Sequence, residues 1–303
     1  MVDILVATYN GEKYIATQLY SLLSQSYSDI KIIVHDDGSQ DKTVDIIDNI
    51  AKMDNRIVLI KDNVHCGGAG KNFMYLLKYS TADYVMFCDQ DDLWFDNKVE
   101  IMLKQINKGN SNIPLVVYSN SYIWYPEVGI DGTLMPTRPI SLRDFLFLNS
   151  GIQGCASIFN SCMREELLKW TGELSMHDHV LQLIGLSFGK IKYIESALML
   201  YRRHLDSVTG RMEVKISLKN RLIKNRQLPV VSIDHFNTVK QFFAIYKDSL
   251  DECDNVIIKE YLLMKEYNLF GRLLSALKFR FRIFDSLLLL LLKICIRPYV
   301  GKI

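Results

Sequence analysis

The sequence lacks the cysteine pairs and ligand spacings that mark disulfide scaffolds and zinc sites. Its six cysteines form no CxxC pair, and Cys88 and Cys155 lie in apolar stretches, which is typical of reduced core thiols. The first residues, "MVDILVATYNGEKY", have no basic segment and too short an apolar stretch for a signal peptide. These absences predict a protein that is not exported and works in the cytosol. The six cysteines are Cys66, Cys88, Cys155, Cys162, Cys253 and Cys295.

Long apolar segments and internal repeats are also missing. The six consecutive leucines at 287–292 fall well short of the roughly 18–20 apolar residues that span a bilayer. No repeat period or low-complexity linker interrupts the chain. An apolar fraction of 49% and a charged fraction of 23% are instead those of an ordinary globular protein. Its 303 residues suffice for one large domain with an extension, or for two domains.

The net charge of +2 hides an uneven distribution. Residues 211–303 contain 17 Lys and Arg against 9 Asp and Glu, a balance of +8, so residues 1–210 have a balance of −6. A basic C-terminal region on an acidic body indicates either an anionic surface as partner or merely solvated helices. Nucleic acid is a poor partner, because the basic residues are mixed with Leu and Phe and no readout motif accompanies them.

The first hundred residues alternate between strand and helix patterns, which predicts an α/β protein with a mainly parallel sheet flanked by helices. From about residue 113 the pattern loosens into mixed strands and short helices. Beyond about residue 211 it is nearly all helix, so we expect a domain over 1–210 and a helical C-terminal extension over 211–303. The predicted strands are 4–8, 30–35, 56–60 and 84–88, and the predicted helices are 12–25, 41–52 and 71–79.

The fourth predicted strand ends in three carboxylates within four positions, Asp89, Asp91 and Asp92. In open α/β sheets ligands bind beyond the carboxyl ends of the strands, so these side chains should project into a binding crevice. Carboxylates two residues apart can converge on one hard divalent cation, which would in turn hold a diphosphate. The alternative is an acidic turn whose aspartates cap a helix.

Polar residues also follow the first two strands. In "HDDGSQD" (35–41), Asp36 or Asp37 could accept the N3–H of a pyrimidine, whereas the alternative is an Asx turn before a helix capped by Ser39 or Asp41. The first strand ends in "TYNG" on the same edge of the sheet. Three consecutive strands with polar exits favour a ligand site over turns alone.

The segments "VATYNGEKYI", "VHDDGSQDKT" and "FCDQDDLW", in this order, resemble the successive signatures of a family 2 glycosyltransferase with the Rossmann-like GT-A fold. The resemblance covers about residues 2–210, with a nucleotide-sugar half over about 1–112 and an acceptor half over about 113–210. It implies an inverting, metal-dependent transfer, with Asp89 and Asp91 at the ribose and at Mg²⁺ or Mn²⁺ on the diphosphate. The residues that it implies at the nucleotide sugar are Ala7, Thr8, Tyr9, Glu12, Asp37, Lys71, Asp89 and Gln90.

The glycine-rich loop "HCGGAGKN" (65–72) is not a Walker motif, because His65 occupies the first glycine position and Asn72 replaces the Ser or Thr. In the family the equivalent loop leads into a helix that flanks the donor. Lys71 and Asn72 are therefore expected either to line the diphosphate or to serve packing.

Asp178, in "LSMHDHVLQLIG" (174–185), is implied by the family to be the catalytic base that takes the proton of the acceptor hydroxyl. Without the resemblance, Asp178 could equally be a helix N-cap. His177 and His179 diverge on a helix, which disfavours a zinc pair. The segment 150–160 resembles the region below the acceptor, and the residues implied there are Trp94, Gly154, Cys155 and His177. A single Trp is otherwise more often a core residue.

The segment "YRRHLDSVTG" (201–210) resembles a closing loop of the family, in which His204 could reach the metal or a diphosphate oxygen; a single His is otherwise usually structural. Together with "DQDDLW" and "MHD", this segment looks most like the rhamnosyltransferase branch that builds bacterial surface polysaccharides. The branch implies dTDP-L-rhamnose as donor and a lipid-linked or oligosaccharide acceptor. The chain departs from it at His179 and Asp206, which leaves the sugar and the acceptor open.

The sequence allows three rival functions to be compared with this one. The first is the same reaction with UDP-glucose, UDP-galactose or a UDP-N-acetylhexosamine. The second is a nucleotidyltransferase, which is disfavoured because no glycine-rich basic triphosphate loop follows the first strand. The third is a non-catalytic assembly module, which the intact Asp89, Asp91 and Asp178 disfavour.

The C-terminal segment combines the leucine run 287–292 with flanking basic residues, a composition typical of a helix at a membrane interface. We therefore expect a peripheral protein on the anionic inner face of the cell membrane. The alternatives are a buried C-terminal helix and a contact between two copies of the chain in a homodimer.

Overall fold

The computed structural model describes residues 1–134, 138–139, 141–149, 151–174, 176–203 and 226–302. Its first part alternates strand and helix as the sequence predicts. The first helix begins at Ile15 rather than at residue 12, because the chain first turns at Gly11, whose carbonyl accepts a hydrogen bond from the amide of Tyr14. The elements are β1 (Val2–Thr8), α1 (Ile15–Leu23), β2 (Ile30–Asp36), α2 (Thr43–Ala51), β3 (Ile57–Ile60), α3 (Ala69–Leu76) and β4 (Tyr84–Asp89).

The next part contains the shorter and more irregular elements that the loosened pattern predicts. They are β5 (Leu93–Trp94), α4 (Lys98–Ile106), β6 (Leu115–Tyr125), β7 (Gly129–Thr133), α5 (Leu142–Phe145), β8 (Ser157–Asn160), α6 (Ser161–Leu168), α7 (His177–Phe188) and β9 (Lys190–Arg202). Two short 3-10 helices, Leu77–Tyr79 and Gly154–Ala156, follow α3 and precede β8.

Nine strands form one sheet with the order β3-β2-β1-β4-β8-β6-β9-β5, and β7 pairs with β6. The first four strands in this order are parallel to one another, whereas β8 runs antiparallel to both β4 and β6. Ala7 of β1 lies opposite His35 on one side and Asp89 on the other. The exits of β1, β2 and β4 are therefore side by side at one edge of the sheet.

The sheet curls. Only residues 90–92 separate β4 from β5, yet β5 pairs with β9, at the far end of the strand order. Such a short connection can join these strands only if the sheet bends over and brings β9 back towards the end of β4. As a result, the last residue of β9, Arg202, lies beside the acidic segment after β4.

Two apolar cores lie on the two faces of the sheet, and β1 contributes to both. Leu5 and Ala7 belong to one core and Ile4 and Val6 to the other, because successive side chains of a strand point to opposite faces. Burial on both faces explains why the strand reads as a continuous apolar run.

The residues after 226 continue with β10 (Val231–Ser232), α8 (Ile233–Tyr246), α9 (Glu252–Leu263), α10 (Leu269–Lys278), α11 (Leu287–Ile296) and β11 (Val300–Gly301). They are mainly helical, as the sequence predicts, and β10 pairs with β11. Phe236, Tyr261, Phe281 and Leu290 belong to the same core as Leu5 of the sheet. Within the described ranges, no helix has both the length and the apolar character to cross a bilayer.

The basic C-terminal segment forms two helices rather than one continuous helix. Arg280, Phe284 and Asp285 have positive φ angles of 54°, 49° and 58°, so the chain reverses between α10 and α11. The hydroxyl of Ser286 then caps the new helix by accepting a hydrogen bond from the amide of Leu289. The two helices pack against each other.

Candidate active site

The exits of β1 and β2 are joined by Asp36, the first aspartate of "DDGS". The Thr8 hydroxyl donates to its Oδ1 at 2.8 Å, and the amides of Gly38 and Ser39 donate to its Oδ2 at 3.1 and 2.7 Å. These bonds make Asp36 the centre of the Asx turn that the sequence left open. Its carboxylate is therefore used by the protein itself.

Asp37 binds the glycine-rich loop. Its carboxylate accepts hydrogen bonds from the amides of Cys66, Gly67 (3.2 Å) and Gly68 (2.9 Å). Gly67 and Gly68 have φ angles of 73° and 146°, which residues other than glycine rarely adopt. In this conformation three consecutive amides point toward one carboxylate.

The two polar residues that follow this loop have different surroundings. Asn72 is buried, where its Oδ1 lies 2.7 Å from Nδ1 of His35 and its Nδ2 donates to the carbonyl of His35 at 3.1 Å. Lys71 is exposed in the first turn of α3. Asn72 thus packs the helix onto β2, and only Lys71 can reach a ligand in solution.

Gln90 joins the exits of β1 and β4. The amide of Tyr9 donates to its Oε1, and its Nε2 donates to the carbonyl of Tyr9, both at 2.9 Å. A Cβ on Gly11 would lie 2.2 Å from Oε1 of Gln90, so a larger residue there would displace this side chain. The ring of Tyr9 remains 54% exposed. Glu12 braces the neighbouring turn by accepting a hydrogen bond from the amide of Lys42 at 3.1 Å.

The acidic segment after β4 contains a crowded group of carboxyls. One ligand atom from each of Asp89, Asp92 and Cys155 lies within 4.8 Å of the others. Burial, together with the charge of Asp91, raises the pKa of Asp89 to about 7, while the Cys155 thiol donates a hydrogen bond to it. Burial and the charge of Asp89 raise the pKa of Asp92, whose Oδ2 has no hydrogen-bond partner among the described residues.

Lys98 is a buried cation beside this group, and the sequence analysis did not identify it. Its Nζ donates to the carbonyl of Cys155 at 2.7 Å, lies 3.0 Å from the sulfur of Met199 and sits 3.7 Å from the ring centre of Trp94. Burial lowers its pKa to about 8, and the neighbouring acidic groups counter that effect. Helical spacing carried a signal for this residue, because Lys98 lies on the same face as Met102 and Ile106.

Trp94, which the family resemblance placed at the acceptor, is only 2% exposed and belongs to a core. Trp94 lies in β5, which pairs with β9, and the ammonium group of Lys98 lies over its ring. The structure therefore does not bring Trp94 to the surface of the crevice, and its contact with the site is indirect, through Lys98.

Arg202 is a second residue that the sequence analysis passed over. Its Nε donates to the carbonyl of Asp91 at 2.6 Å, and its amide donates to Oδ1 of Asp92 at 3.2 Å. The guanidinium lies 4.1 Å from the ring centre of Trp124 and 4.9 Å from that of Tyr14. Arg202 thus fixes the backbone of the acidic segment, and only the curl of the sheet makes this contact.

Asp178 lies in the first turn of α7, near enough for its charge to contribute to the raised pKa of Asp89. Its Oδ1 is buried and has no hydrogen-bond partner among the described residues. The start of α7 thus brings a second carboxyl group near Asp89.

His177, the residue before Asp178, is buried in the core rather than exposed in the crevice. Its ring packs 4.3 Å from that of Phe73 and 4.6 Å from that of Phe87, and it is 4% exposed. Burial lowers its pKa to about 4, so the ring is neutral at physiological pH. A Cβ on Gly154 would lie 2.3 Å from Nε2 of His177, which explains the glycine at that position. The His177 ring therefore packs between Gly154 and these two phenylalanines at the start of α7, where Asp178 is the next residue.

The side chains present fit a hard divalent cation. Asp89 and Asp91 offer carboxylate oxygens, the ligands that Mg²⁺ and Mn²⁺ prefer, and the crowding that raises the pKa of Asp89 would be relieved by positive charge. Cys155 is a poor ligand for such an ion, because burial raises the pKa of its thiol and keeps it neutral. His204 lies outside the described residues.

Comparison with known proteins identifies relatives of this chain. The family model described as "Glycosyl transferase family 2" matches residues 3–165. The chain is 30% identical over 217 residues to the dTDP-rhamnosyl transferase RfbG of Shigella flexneri, a match that covers 68% of this chain and 73% of RfbG. It is 39% identical over 123 residues to WfaP of Escherichia coli, named UDP-Glc:alpha-D-GlcNAc-diphosphoundecaprenol beta-1,3-glucosyltransferase; this match covers 41% of the chain and 47% of WfaP, less than half of that relative.

Two solved structures share the fold. A fragment of S. aureus TarS in complex with UDP-GlcNAc superposes with a TM-score of 0.57 at 16% identity, covering 92% of this chain and 80% of that one. The mannosyltransferase PcManGT from Pyrobaculum calidifontis, in complex with GDP-Man and Mn²⁺, has a TM-score of 0.52 at 15% identity and covers 91% and 75% of the two chains. The architecture is therefore the GT-A fold, as the sequence predicts.

Replacing Lys98 with methionine should destabilise the protein by about 3 kcal/mol or more at pH 7, because it leaves buried carboxylates without their cation. The loss should be smaller at pH 5, where Asp89, with its pKa of about 7, binds a proton and needs no counter-charge. Urea unfolding at the two pH values measures the difference. Lys104→Met, on the exposed face of the same helix, is the matched control. The double variant Lys98→Met/Asp92→Asn should recover part of the loss, and equal unfolding free energies for all these proteins would contradict the assignment.

Proposed function

The chain belongs to glycosyl transferase family 2, and from this premise we propose that it transfers L-rhamnose from dTDP-L-rhamnose, with inversion, to a lipid-linked saccharide. The observation that carries the proposal is the position of Asp178 opposite Asp89. One carboxylate lies at the start of α7 and the other at the end of β4, close enough for their charges to interact. This arrangement suits a donor held at the strand end and a base beside the attacking oxygen.

In the proposed reaction Asp178 takes the proton of the acceptor hydroxyl as that oxygen attacks C1 of the sugar. The new glycosidic bond forms on the face opposite the diphosphate, and the bond from C1 to the diphosphate oxygen breaks. The configuration at C1 is thereby inverted. Oδ1 of Asp178, which has no hydrogen-bond partner among the described residues, supports this role because it can receive the proton.

Asp89 and Asp91 would hold Mg²⁺ or Mn²⁺, which when bound neutralises charge on the diphosphate. The charge of Lys98 would stabilise the ionised forms of Asp89 and Asp92, while Lys98 itself is buried and donates to the carbonyl of Cys155 rather than to the donor. Arg202 holds the backbone of Asp91 in position. His204 would be a further contact to the metal or the diphosphate.

The exits of β1 and β2 would bind the nucleotide. Ala7, Thr8 and Tyr9 line the exit of β1, and the exposed ring of Tyr9 offers a stacking surface for a base. Asp37 would accept the N3–H of the pyrimidine, for which it has to share its bonds to the glycine-rich loop. The hydrogen bonds of Gln90 and Glu12 join the neighbouring segments, and Lys71, which is exposed at the start of α3, would meet the diphosphate.

In this proposal residues 113–210 would bind the acceptor and residues 1–112 the nucleotide sugar. Residues 211–303 would form the basic helical region. Gly154 and Cys155 would lie below the acceptor sugar, with His177 supporting Asp178. The name of WfaP, whose acceptor is a diphosphoundecaprenol-linked sugar, supports a lipid-linked acceptor. We further propose that the enzyme is cytoplasmic and attaches peripherally to the inner face of the membrane, where such an acceptor resides.

Another donor on the same scaffold is the second candidate, because WfaP, by its name, uses UDP-Glc. A panel of nucleotide sugars tests the choice by thermal shift in the presence of Mn²⁺, followed by turnover assays. We expect dTDP-L-rhamnose to raise the melting temperature most and to be turned over. A larger shift and faster turnover with UDP-glucose, UDP-galactose or a UDP-N-acetylhexosamine would reject rhamnose and retain the reaction class.

Asp178→Asn should bind the donor normally and lose roughly 10²–10⁴-fold in turnover, the usual contribution of a general base. The amide keeps the size of the side chain but cannot take a proton. Calorimetric donor titration and a transfer assay separate the two effects. Asp83→Asn, an exposed residue that precedes β4 and lies at the opposite end of that strand from Asp89, is the matched control and should behave like the wild type. If turnover of Asp178→Asn stayed within about twofold of wild type, the base would lie elsewhere.

Asp91→Asn should abolish transfer and the metal-dependent part of donor binding while leaving the fold intact. The loss of one carboxylate removes a ligand for the cation, but the backbone contact to Arg202 uses the carbonyl of Asp91 and is unaffected. Donor affinity measured by titration with and without Mn²⁺ gives the readout, and thermal unfolding checks the fold. An unchanged Mn²⁺-dependent affinity would show that Asp91 does not bind the metal.

A further inference from the structure

Helices α10 and α11 carry a set of large apolar side chains that are exposed to solvent. On α10 they follow helical spacing at positions 270, 274 and 277, and on α11 at 288, 292 and 296, so each helix has one apolar outer stripe. Phe270 is 69% exposed, Leu288 68% and Phe284, in the connection between the helices, 59%. The outer face is formed by Phe270, Leu274, Leu277, Phe284, Leu288, Leu292 and Ile296.

The opposite sides of the same helices are anchored in the protein. Ala276 on α10 and Leu290 and Ile294 on α11 are buried in the core that also contains the sheet. Each helix is therefore apolar on two sides, only one of which the protein itself covers. Exposed apolar side chains at this density on a fixed two-helix unit are the mark of an interaction surface.

The charge around the outer face is strongly basic. Residues 269–302 contain seven Lys and Arg and one Asp, a balance of +6. Lys278 and Arg280 are exposed beside the apolar stripe of α10, and Nζ of Lys293 lies 5.6 Å from the ring centre of Phe284. Two of the basic residues instead contact the protein: Nε of Arg282 lies 3.7 Å from Oδ1 of Asp144, and Arg272 donates to the carbonyls of Met264 and Lys265.

We propose that the outer face of α10 and α11 binds the surface of a bilayer that contains anionic phospholipids. The helices would lie in the plane of the interface, with their apolar stripes among the acyl chains and the basic side chains at the headgroups. A second copy of the chain is a poorer occupant, because a two-fold contact through this face would bring two basic surfaces together.

The purpose of this surface rests on the proposed function, since a lipid-linked acceptor lies in the same membrane. Its test does not, because binding to vesicles requires neither donor nor acceptor. A protein that binds vesicles but transfers no sugar would refute the proposed reaction alone, and a protein that transfers sugar to a soluble acceptor but ignores vesicles would refute the membrane surface alone.

The experiment is co-sedimentation of the full-length chain with vesicles of phosphatidylcholine, with and without phosphatidylglycerol, at low and at high salt. We expect binding that needs phosphatidylglycerol and weakens as salt screens the basic residues. The variant Phe270→Ser/Leu288→Ser should bind at least about tenfold more weakly, because both side chains would leave water on binding. Met53→Ser/Val128→Ser, which changes two equally exposed apolar residues elsewhere, should bind like the wild type.

A charge variant, Lys278→Gln/Arg280→Gln, tests the electrostatic part independently and should weaken binding at low salt more than at high salt. Thermal unfolding of each variant verifies the fold, and the exposed positions predict unchanged melting temperatures. Equal sedimentation of the wild type and the Phe270→Ser/Leu288→Ser variant would overturn the proposal. So would light scattering that finds a dimer for the wild type and a monomer for that variant without lipid, since the face would then belong to a second copy.

Discussion

The charge of Lys98, buried near the carboxyl groups of Asp89 and Asp92, is the interaction on which the candidate site depends. Asp89 and Asp92 are at the end of β4, where low dielectric makes uncompensated negative charge costly. One ammonium group, held by the carbonyl of Cys155 and the ring of Trp94, supplies the opposite charge from within the protein. Asp89 can therefore stay near the crevice in a partly protonated state, from which a bound cation could draw it into the ionised form.

The curl of the sheet places the other supports of the site. Because β5 follows β4 so closely yet pairs with β9, the end of β9 is brought to the acidic segment. Arg202 then fixes the backbone at Asp91, while two aromatic rings hold its guanidinium. In the proposed reaction the parallel part of the sheet would bind the nucleotide, and α7, which lies between β8 and β9 of the mixed part in the chain, would provide Asp178. The proposed reaction needs both parts, since donor and acceptor have to meet between Asp89 and Asp178.

The two C-terminal helices, α10 and α11, each have one side packed against the protein and one side exposed to solvent. Their inner sides complete the core that also supports α7, so they belong to the folded body rather than to a loose tail. Their outer sides remain apolar and are bordered by basic residues. The sequence alternative of a buried helix therefore describes their inner sides, and the interfacial alternative is what we propose for their outer sides. A surface fixed in this way would hold the enzyme in a defined orientation on a membrane.

The sequence alone determined the alternating first half, the parallel strands and the polar exits at Thr8, Asp37 and Asp89, because periodicity and strand ends are local properties. It also determined the family, since the three motifs are short and contiguous. Only the tertiary structure decided that Asp36 holds a turn while Asp37 binds the glycine-rich loop, that Trp94 is buried, and that Lys98 and Arg202 support the acidic segment. The contacts of Asp37 and Arg202 join residues from about 30 to over 100 positions apart, and they form because the sheet curls, which no local pattern encodes.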